Sequence, residues 1–364
     1  MKIHTPHHVQ VLSHKESAKG GWIEHLKDDD PHYVQQDFLP SQRQTHREIV
    51  DSFGSATPHS SSVLLQYAGD PEQKTQATPV LLVHGSKVDG EFFFHSGLTQ
   101  AMKRQGMQVF SCTFAHNHDD NFVQAQQIGN ALARIREITG SPQVDVVGHS
   151  KGCVAATVYA TPEFRQDWMS DYQGDVRKLL LVGGPNGGLD YFHRHPITDF
   201  GANNWPMTWT KVDGKDCREF NLRSDGHWPG QAQMVAAWDN KYPVSDDPVA
   251  HATYYGGQTD QFEAEGIWMA SQEGGNFIEQ LNQTPLAKDV QVGLLAGDQA
   301  TVPGFVNENA GPSDGIVLVD SALQAPKDAH VTMSELLHCN HMDLIKGKAA
   351  QEKICQFLRD DANQ

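Results

Sequence analysis

The chain has 364 residues and a formal net charge of −17, with 28 Lys and Arg against 45 Asp and Glu. That balance opposes the phosphate neutralisation on which nucleic-acid binding depends, so no nucleic acid is expected as a partner. No apolar run reaches bilayer-spanning length, so no transmembrane segment is expected; the first thirty residues lack the apolar segment of a signal peptide, so the sequence reads as cytoplasmic while leaving an extracellular location open.

Residues 1–60 are polar, His-rich and weakly periodic, and are expected to lie over a core rather than to form one. From residue 61 short apolar runs alternate with helical patterns. SSSVLLQYAG, TPVLLVHG, MQVFSCTF, VDVVGHS and RKLLLVGG read as strands, whereas FFFHSGLTQAMKRQG and NFVQAQQIGNALARIREITG carry apolar residues at three-to-four spacing, the second stopping at Gly140. This alternation predicts an α/β fold: a doubly wound, mostly parallel sheet whose first part spans residues 61–190. Over 191–288 the rhythm fails, with NNWPMTWT, GHWPGQAQMVAAW and YYGGQTDQF setting aromatics among turn residues, and an inserted cap is expected. Residues 289–364 return to the core with the strand VQVGLLAG, a long loop, the run GIVLVDSA, and an amphipathic helix from about 341 to 359. Cys112, Cys153, Cys217, Cys339 and Cys355 form no CxxC pair and are read as reduced and mostly buried.

The stretch VDVVGHSKGCVAA places Ser150 between a valine-rich strand and a helix of small residues. A strand, a GxSxG turn and a helix in that order suit a strained nucleophile elbow, and glycines at 148 and 152 remove side chains that would collide with the neighbouring elements. The bland alternative is a plain turn with Ser150 as N-cap. An attacked ester needs donors already facing the developing oxyanion; the N–H of Lys151 at the helix start and the N–H of Ser86 after the His84-Gly85 turn are the candidates.

TPVLLVHG, AMKRQGMQVFSC, ITGSPQVDVVGHSKG and KLLLVGGPNGGLDYF resemble, in order and spacing, the bacterial triacylglycerol lipases of the α/β-hydrolase superfamily, and they also look like an extracellular polyhydroxybutyrate depolymerase lineage. The similarity covers residues 78–192 well and 288–345 more loosely. It implies the α/β-hydrolase fold with a catalytic triad in the order nucleophile, acid, histidine. Asp314, in PSDGIVLVDSA, resembles the loop that carries the lipase acid, with Asp298 and Asp320 as rivals. His341, just before the final helix, stands where the family has its histidine, with His330 and His338 also downstream. The resemblance implies a serine ester hydrolase acting through an acyl-enzyme on esters of medium or long acyl chains, with an apolar substrate met at a lipid–water interface. A polyester depolymerase or an acyltransferase on the same scaffold is the alternative, followed by a non-catalytic binding protein.

No cofactor is expected. His116, His118, Asp119 and Asp120, and His193 with His195, have ligand-type residues at close spacing, but neither tract has a partner at metal-site spacing and no metal is predicted. Some lipases bind calcium through an Asp two residues after the catalytic histidine, here Asp343; the amide ligand four residues on is replaced by Gly347, so calcium is not predicted. Trp205, Trp209, Trp228 and Trp238, with Pro206, Met207, Met234, Tyr254 and Tyr255, are expected to make the cap a mobile, apolar acyl-binding lid.

Overall fold

A computed structural model describes residues 9–17, 20–71, 78–194, 207–212, 215–220, 228–259, 262–303 and 307–359; for 207–220 and 262 only the backbone is described. In chain order the strands are β1 (Val9–Glu16), β2 (Trp22–Asp28), β3 (Ser62–Tyr67), β4 (Val80–Val83), β5 (Val109–Phe114), β6 (Val144–His149), β7 (Val176–Val182), β8 (Met207–Val212), β9 (Lys215–Phe220), β10 (Gly257–Thr259), β11 (Phe262–Ala264), β12 (Gln291–Gly297) and β13 (His330–Leu337). The helices that bear on the argument are α1 (Arg47–Phe53), α2 (Glu91–His95), α3 (Leu98–Arg104), α4 (Asn121–Thr139) and α5 (Lys151–Tyr159).

Nine strands form one sheet in the order β1-β2-β3-β5-β4-β6-β7-β12-β13. From β5 to β13 every pairing is parallel, and β1, β2 and β3 complete the sheet antiparallel. Because side chains alternate across a pleated strand, one strand feeds both faces. In β4, Leu81 and Val83 join the core under α4 and α5, while Val80 and Leu82 join the core under α3 and the C-terminal helix Lys348–Leu358. β7 divides likewise, with Leu179 and Leu181 on one face and Leu180 and Val182 on the other. Continuous apolar runs are what a parallel sheet covered on both faces requires.

The expected extension over residues 1–60 is corrected: it supplies two strands of the sheet and α1. Leu26 is fully buried in the larger core, and Ile23 packs with Ile49, Phe53 and Leu64. The polarity of WIEHLKD conceals a buried strand because its charges find partners. Glu24 takes a bidentate contact from Arg134 at 2.8 Å on each arm, and Asp28 accepts from Asn130 Nδ2 at 2.9 Å and from the Tyr33 hydroxyl at 3.2 Å. A paired charge escapes most of the cost of burial, so polarity alone did not predict exposure.

At the other edge, the run GIVLVDSA ends in the short helix Val319–Ala322, and the last strand, β13, is built from HVTMSELL. β13 borders the sheet and is largely exposed, so it carries no apolar run to announce it. The final helical region divides at Gly347 into Asp343–Lys346 and Lys348–Leu358. Cys112, Cys153 and Cys355 are buried free thiols and Cys339 is a half-buried one; the Cys217 side chain lies outside the described residues. Among the described residues no helix is long and apolar enough to cross a membrane.

Burial of β2 makes a stability prediction. Leu26→Ala should lower the unfolding free energy by about 2–5 kcal/mol, the cost of a large-to-small change in a packed core. Urea denaturation measures it; a change within about 0.5 kcal/mol, the range of ordinary surface substitutions, would restore the reading of residues 1–60 as a loose cover.

Candidate active site

Ser150 sits where β6 ends and α5 begins, near the middle of the sheet, with φ 57° and ψ −131°. A side chain at that positive φ costs on the order of 1–3 kcal/mol and persists only if the surroundings enforce it. They do so through backbone bonds and tight approach. Ser150 N donates to Val182 O of β7 at 3.0 Å, and Cys153 N donates to Ser150 O at 3.0 Å. A Cβ on Gly152 would come within 2.6 Å of the Val83 and His84 carbonyl oxygens, and one on Gly148 within 2.8 Å of Cys153 Cα. Ser150 is the N-cap residue of α5 by position, but its side chain makes no cap hydrogen bond, so the plain-turn alternative lacks its defining contact.

The turn after β4 lies against the elbow because β4 is the neighbour of β6, with Val83 opposite Gly148. Gly85 touches it: a Cβ there would fall 2.5 Å from Ser150 Cβ and 3.0 Å from Ser150 Oγ. His84 is buried and its pKa is lowered to about 4 by desolvation, so it is neutral. Its Nε2 accepts from Phe114 N at 3.1 Å, which leaves Nδ1–H to donate to Gly85 O at 2.7 Å. In a trans peptide the C=O and the following N–H point in opposite directions. Holding Gly85 O towards His84 therefore turns the Ser86 N–H away from it. Neither that N–H nor the N–H of Lys151 has an acceptor among the described residues.

Asp314 and His341 are brought together from the loops that follow β12 and β13. His341 Nδ1 donates to Asp314 Oδ2 at 2.7 Å, and His341 N donates to Asp314 O at 2.8 Å. Asp314 is fully buried, and its Oδ1 accepts from Ile316 N at 3.0 Å and Val317 N at 2.8 Å. With Nδ1 donating, Nε2 of His341 is left as the acceptor. Asp298 makes a second carboxylate–imidazole pair with His338 at 2.8 Å, but His338 is 82% exposed in its side chain, and neither residue lines the cavity at Ser150. Asp320 instead bonds Lys241 and the Tyr242 hydroxyl, and His330 is exposed at the start of β13.

A cavity of about 180 Å³ opens over Ser150, and His341, Ser86 and Lys151 line it with Ser150. Val88, Pro185, Leu189, Tyr191, Phe192, Met234, Ile316 and Met342 make most of its wall apolar. Sequence reasoning missed three contributors. His149, the variable residue of GHSKG, is buried with its ring 4.8 Å from that of His341, and its Nε2 donates to His341 O at 3.1 Å, bracing the histidine loop. His118 and Gln231 also line the cavity. His118 was weighed only as a metal ligand; its place among buried neighbours had no sequence signal, and Gln231 comes from the cap.

The described part of the cap packs against the core. Trp228 and Tyr254 are buried in a satellite core with Ile267, and Met234 belongs to the main core. Polar bonds fix this segment to the loop between β5 and α4: Gly230 N to His118 O at 3.1 Å, Asn121 N to Gln233 Oε1 at 2.8 Å, and Gln233 Nε2 to Asp120 Oδ2 at 2.7 Å. Asp190 accepts from the Tyr254 hydroxyl at 2.7 Å and pairs with Arg194 at 2.8 Å. Tyr255 is exposed; Trp205 and Pro206, and the side chains of Met207 and Trp209, lie outside the described residues.

The residues weighed as metal ligands lie mostly in the interior. His116, His118 and Asp119 are buried, with the His118 ring edge-on to Trp228 at 4.3 Å, and Asp120 caps α4 by accepting from Phe122 N at 2.7 Å. His193 is buried, and His195 lies outside the described residues. Asp343 begins a short helix, its carbonyl accepting from Gly347 N at 2.7 Å.

A family model described as Lipase (class 2) matches residues 77–311. The chain belongs to the class 2 lipase family. Over 122 residues it is 28% identical to a triacylglycerol lipase of Pseudomonas fragi, a match that covers 32% of this chain and 37% of that lipase. Thus the match spans little more than a third of the curated relative. Among solved structures, the propeptide form of the Bacillus licheniformis lipase BlEst2 superposes with a TM-score of 0.50 at 15% identity, covering 82% of this chain and 55% of that one. Its mature form gives a TM-score of 0.49 at 16% identity, covering 81% and 98%. The fold is that of the α/β-hydrolases, as the resemblance in the sequence implied.

Lys151 adds a pH signature to the site. Its side chain is buried, Nζ donates to Asp119 O at 2.9 Å and to Gln124 Oε1, and desolvation lowers its pKa from 10.5 to about 7, against the opposing pull of Asp119 and Asp120. A neutral amine has two N–H donors, and these two acceptors take both. Since the folded pKa lies below the unfolded one, the unfolded chain binds more protons between about pH 7 and 10.5, and this residue's contribution to stability rises with pH through that window. In Lys151→Met that rise should vanish, so the mutant should compare best with wild type below pH 7 and lose ground towards pH 10. Urea denaturation at a series of pH values checks this; a constant difference would mean the amine stays charged.

Proposed function

We propose that the protein is a serine ester hydrolase of the lipase and esterase type, in which Ser150 attacks the carbonyl, His341 serves as base and then acid, and Asp314 holds the imidazole. The observation that carries the reading is the convergence of Ser150, in its strained turn, and the buried Asp314–His341 pair on one largely apolar cavity. His341 Nε2 takes the Ser150 proton as Oγ forms its bond to the acyl carbon. Asp314, held by two backbone N–H groups besides the imidazole, keeps the tautomer and stabilises the imidazolium. Charge developing on the carbonyl oxygen would meet the free N–H groups of Ser86 and Lys151, the second strengthened by the N-terminal end of the α5 dipole. The imidazolium returns its proton to the leaving alcohol oxygen as the ester bond breaks. Water then repeats the sequence on the acyl-enzyme and releases the acid. None of these steps calls on a cofactor.

The wall of the cavity supports an apolar ester substrate. Leu189, Phe192, Met234 and Ile316 offer hydrocarbon contact close to Ser150, and each methylene buried against them contributes up to about 0.8 kcal/mol. Esters of medium or long acyl chains should therefore exceed acetate in kcat/KM in a p-nitrophenyl series. A profile that peaks at acetate would limit the enzyme to short chains without touching the serine mechanism.

Labelling with a fluorophosphonate tests the mechanism itself. Ser150→Ala should abolish labelling and ester hydrolysis while leaving the thermal transition nearly in place. Asp314→Asn and His341→Ala should each lower kcat by about three or more powers of ten, whereas Asp298→Asn and His338→Ala should change it little, since a pair outside the cavity cannot reach the reacting atoms. The reverse ranking of the two pairs would reassign acid and base.

A further inference from the structure

We propose that the Ser86 hydroxyl is a third donor to the oxyanion, its proton directed into the cavity by Gln231 from the cap. This rests on the reading of Ser150 as nucleophile and extends it to the side chain of a residue so far credited only with its backbone N–H.

The argument is a count of donors and acceptors. Gln231 is buried, and its Nε2 donates to Ser86 Oγ at 2.9 Å and also contacts His118 Nδ1. An amide nitrogen has two N–H groups, and these two contacts use both. His118 can accept there because its imidazole is neutral: burial holds its pKa well below the ordinary value, with nearby positive groups acting in the same direction. With Nδ1 accepting, Nε2 carries the proton. The His118 ring packs edge-on to Trp228, and its backbone is held by His118 N donating to His116 Nδ1 at 3.1 Å and His118 O accepting from Gly230 N at 3.1 Å.

Ser86 Oγ is thus an acceptor towards Gln231, and a hydroxyl that accepts on one side still has its own proton to give. No acceptor for it exists among the described residues, and Ser86 stands on the cavity wall beside Ser150, separated by Gly85 alone. The acceptor that can reach this proton is one that enters the cavity: a water in the free protein, the carbonyl oxygen of an ester during reaction. Charge on that oxygen grows in the transition state, so the bond strengthens there rather than in the ground state. Gln231 is a positioning residue in this scheme, because it acts only through the Ser86 hydroxyl.

The test uses steady-state kinetics with a soluble p-nitrophenyl ester, together with inhibition by an alkyl boronic acid, which forms a tetrahedral anionic adduct with a nucleophilic serine, and by an alkyl alcohol of equal length, which does not. Ser86→Ala keeps the backbone N–H and should lower kcat about 10- to 100-fold with KM within about twofold, somewhat less than the loss of a principal oxyanion donor. Boronate affinity should fall in parallel while alcohol affinity holds. Ser86→Thr, which restores a hydroxyl, should recover most of both. Gln231→Met, of similar length without the amide, should lower kcat by a smaller factor and should add nothing in the Ser86→Ala background, because the two residues act in one chain. Wild-type kcat and boronate affinity in Ser86→Ala would overturn the proposal, as would full additivity of the two substitutions. Should Ser86→Ala fail to fold, the parallel fall of kcat and boronate affinity in Gln231→Met decides in its place. Persisting fluorophosphonate labelling in Ser150→Ala would instead remove the serine reading on which the proposal stands, so the two failures are told apart.

Discussion

The contact on which the rest depends is the near-collision of two strand ends. β4 and β6 are adjacent and parallel, so the turns that leave them emerge side by side at the same edge of the sheet. Gly85 and Gly152 allow the turns to touch, with no room for a Cβ on either side, and Ser150 is held at positive φ between them. That arrangement costs backbone strain, and the sheet resists its relaxation: β6 is buried between β4 and β7, its end tied through Ser150 N to Val182 O. The candidate nucleophile and candidate oxyanion donors therefore share one rigid origin. Their relative placement does not rely on a mobile loop, and preorganisation of this kind is what makes backbone donors effective.

The histidine side of the site is built differently. Asp314 and His341 come from loops on the far strands β12 and β13, and what fixes them is a closed set of hydrogen bonds rather than sheet pairing. Each carboxylate oxygen of Asp314 is occupied, the His341 N–H is bonded back to Asp314 O, and the His341 carbonyl takes a donor from His149. His149 belongs to β6 itself, next to Ser150, so the elbow strand also braces the loop that brings its partner. A buried polar set of this type is favourable only when satisfied throughout, which makes each member unforgiving of substitution even where it never meets substrate.

Much of the fold was legible because parallel strands buried on both faces must be apolar throughout. TPVLLV, VDVV and RKLLLV announce themselves, and GHSKG marks where one of them turns. Legibility failed where burial was achieved by pairing. WIEHLKD reads as surface because Glu24 and Asp28 are charged, yet Arg134 and Asn130, distant in sequence, and the nearby Tyr33 make the strand a core element. β13 escaped for the opposite reason, being an edge strand with little apolar surface to bury. The choice of Asp314 over Asp298 rested on a resemblance in loop pattern. The structure shows why composition alone left it open: both carboxylates have a histidine partner at hydrogen-bond distance, and only their placement differs.

That duplication bears on how such sites are read. An aspartate–histidine contact is a weak signal by itself, because an exposed pair is screened and contributes little either to stability or to the basicity of the ring. Burial changes its meaning. A carboxylate without solvent must be neutralised by fixed donors, and those donors in turn fix which ring nitrogen is bare. At Asp314 the donors are two backbone N–H groups and one imidazole N–H, so the bare nitrogen of His341 belongs to a residue that shares the cavity with Ser150. At Asp298 solvent can replace the imidazole, and nothing selects a tautomer. The physical difference between the two pairs is therefore burial, which holds the donors of Asp314 fixed while the Asp298–His338 pair lies open to solvent.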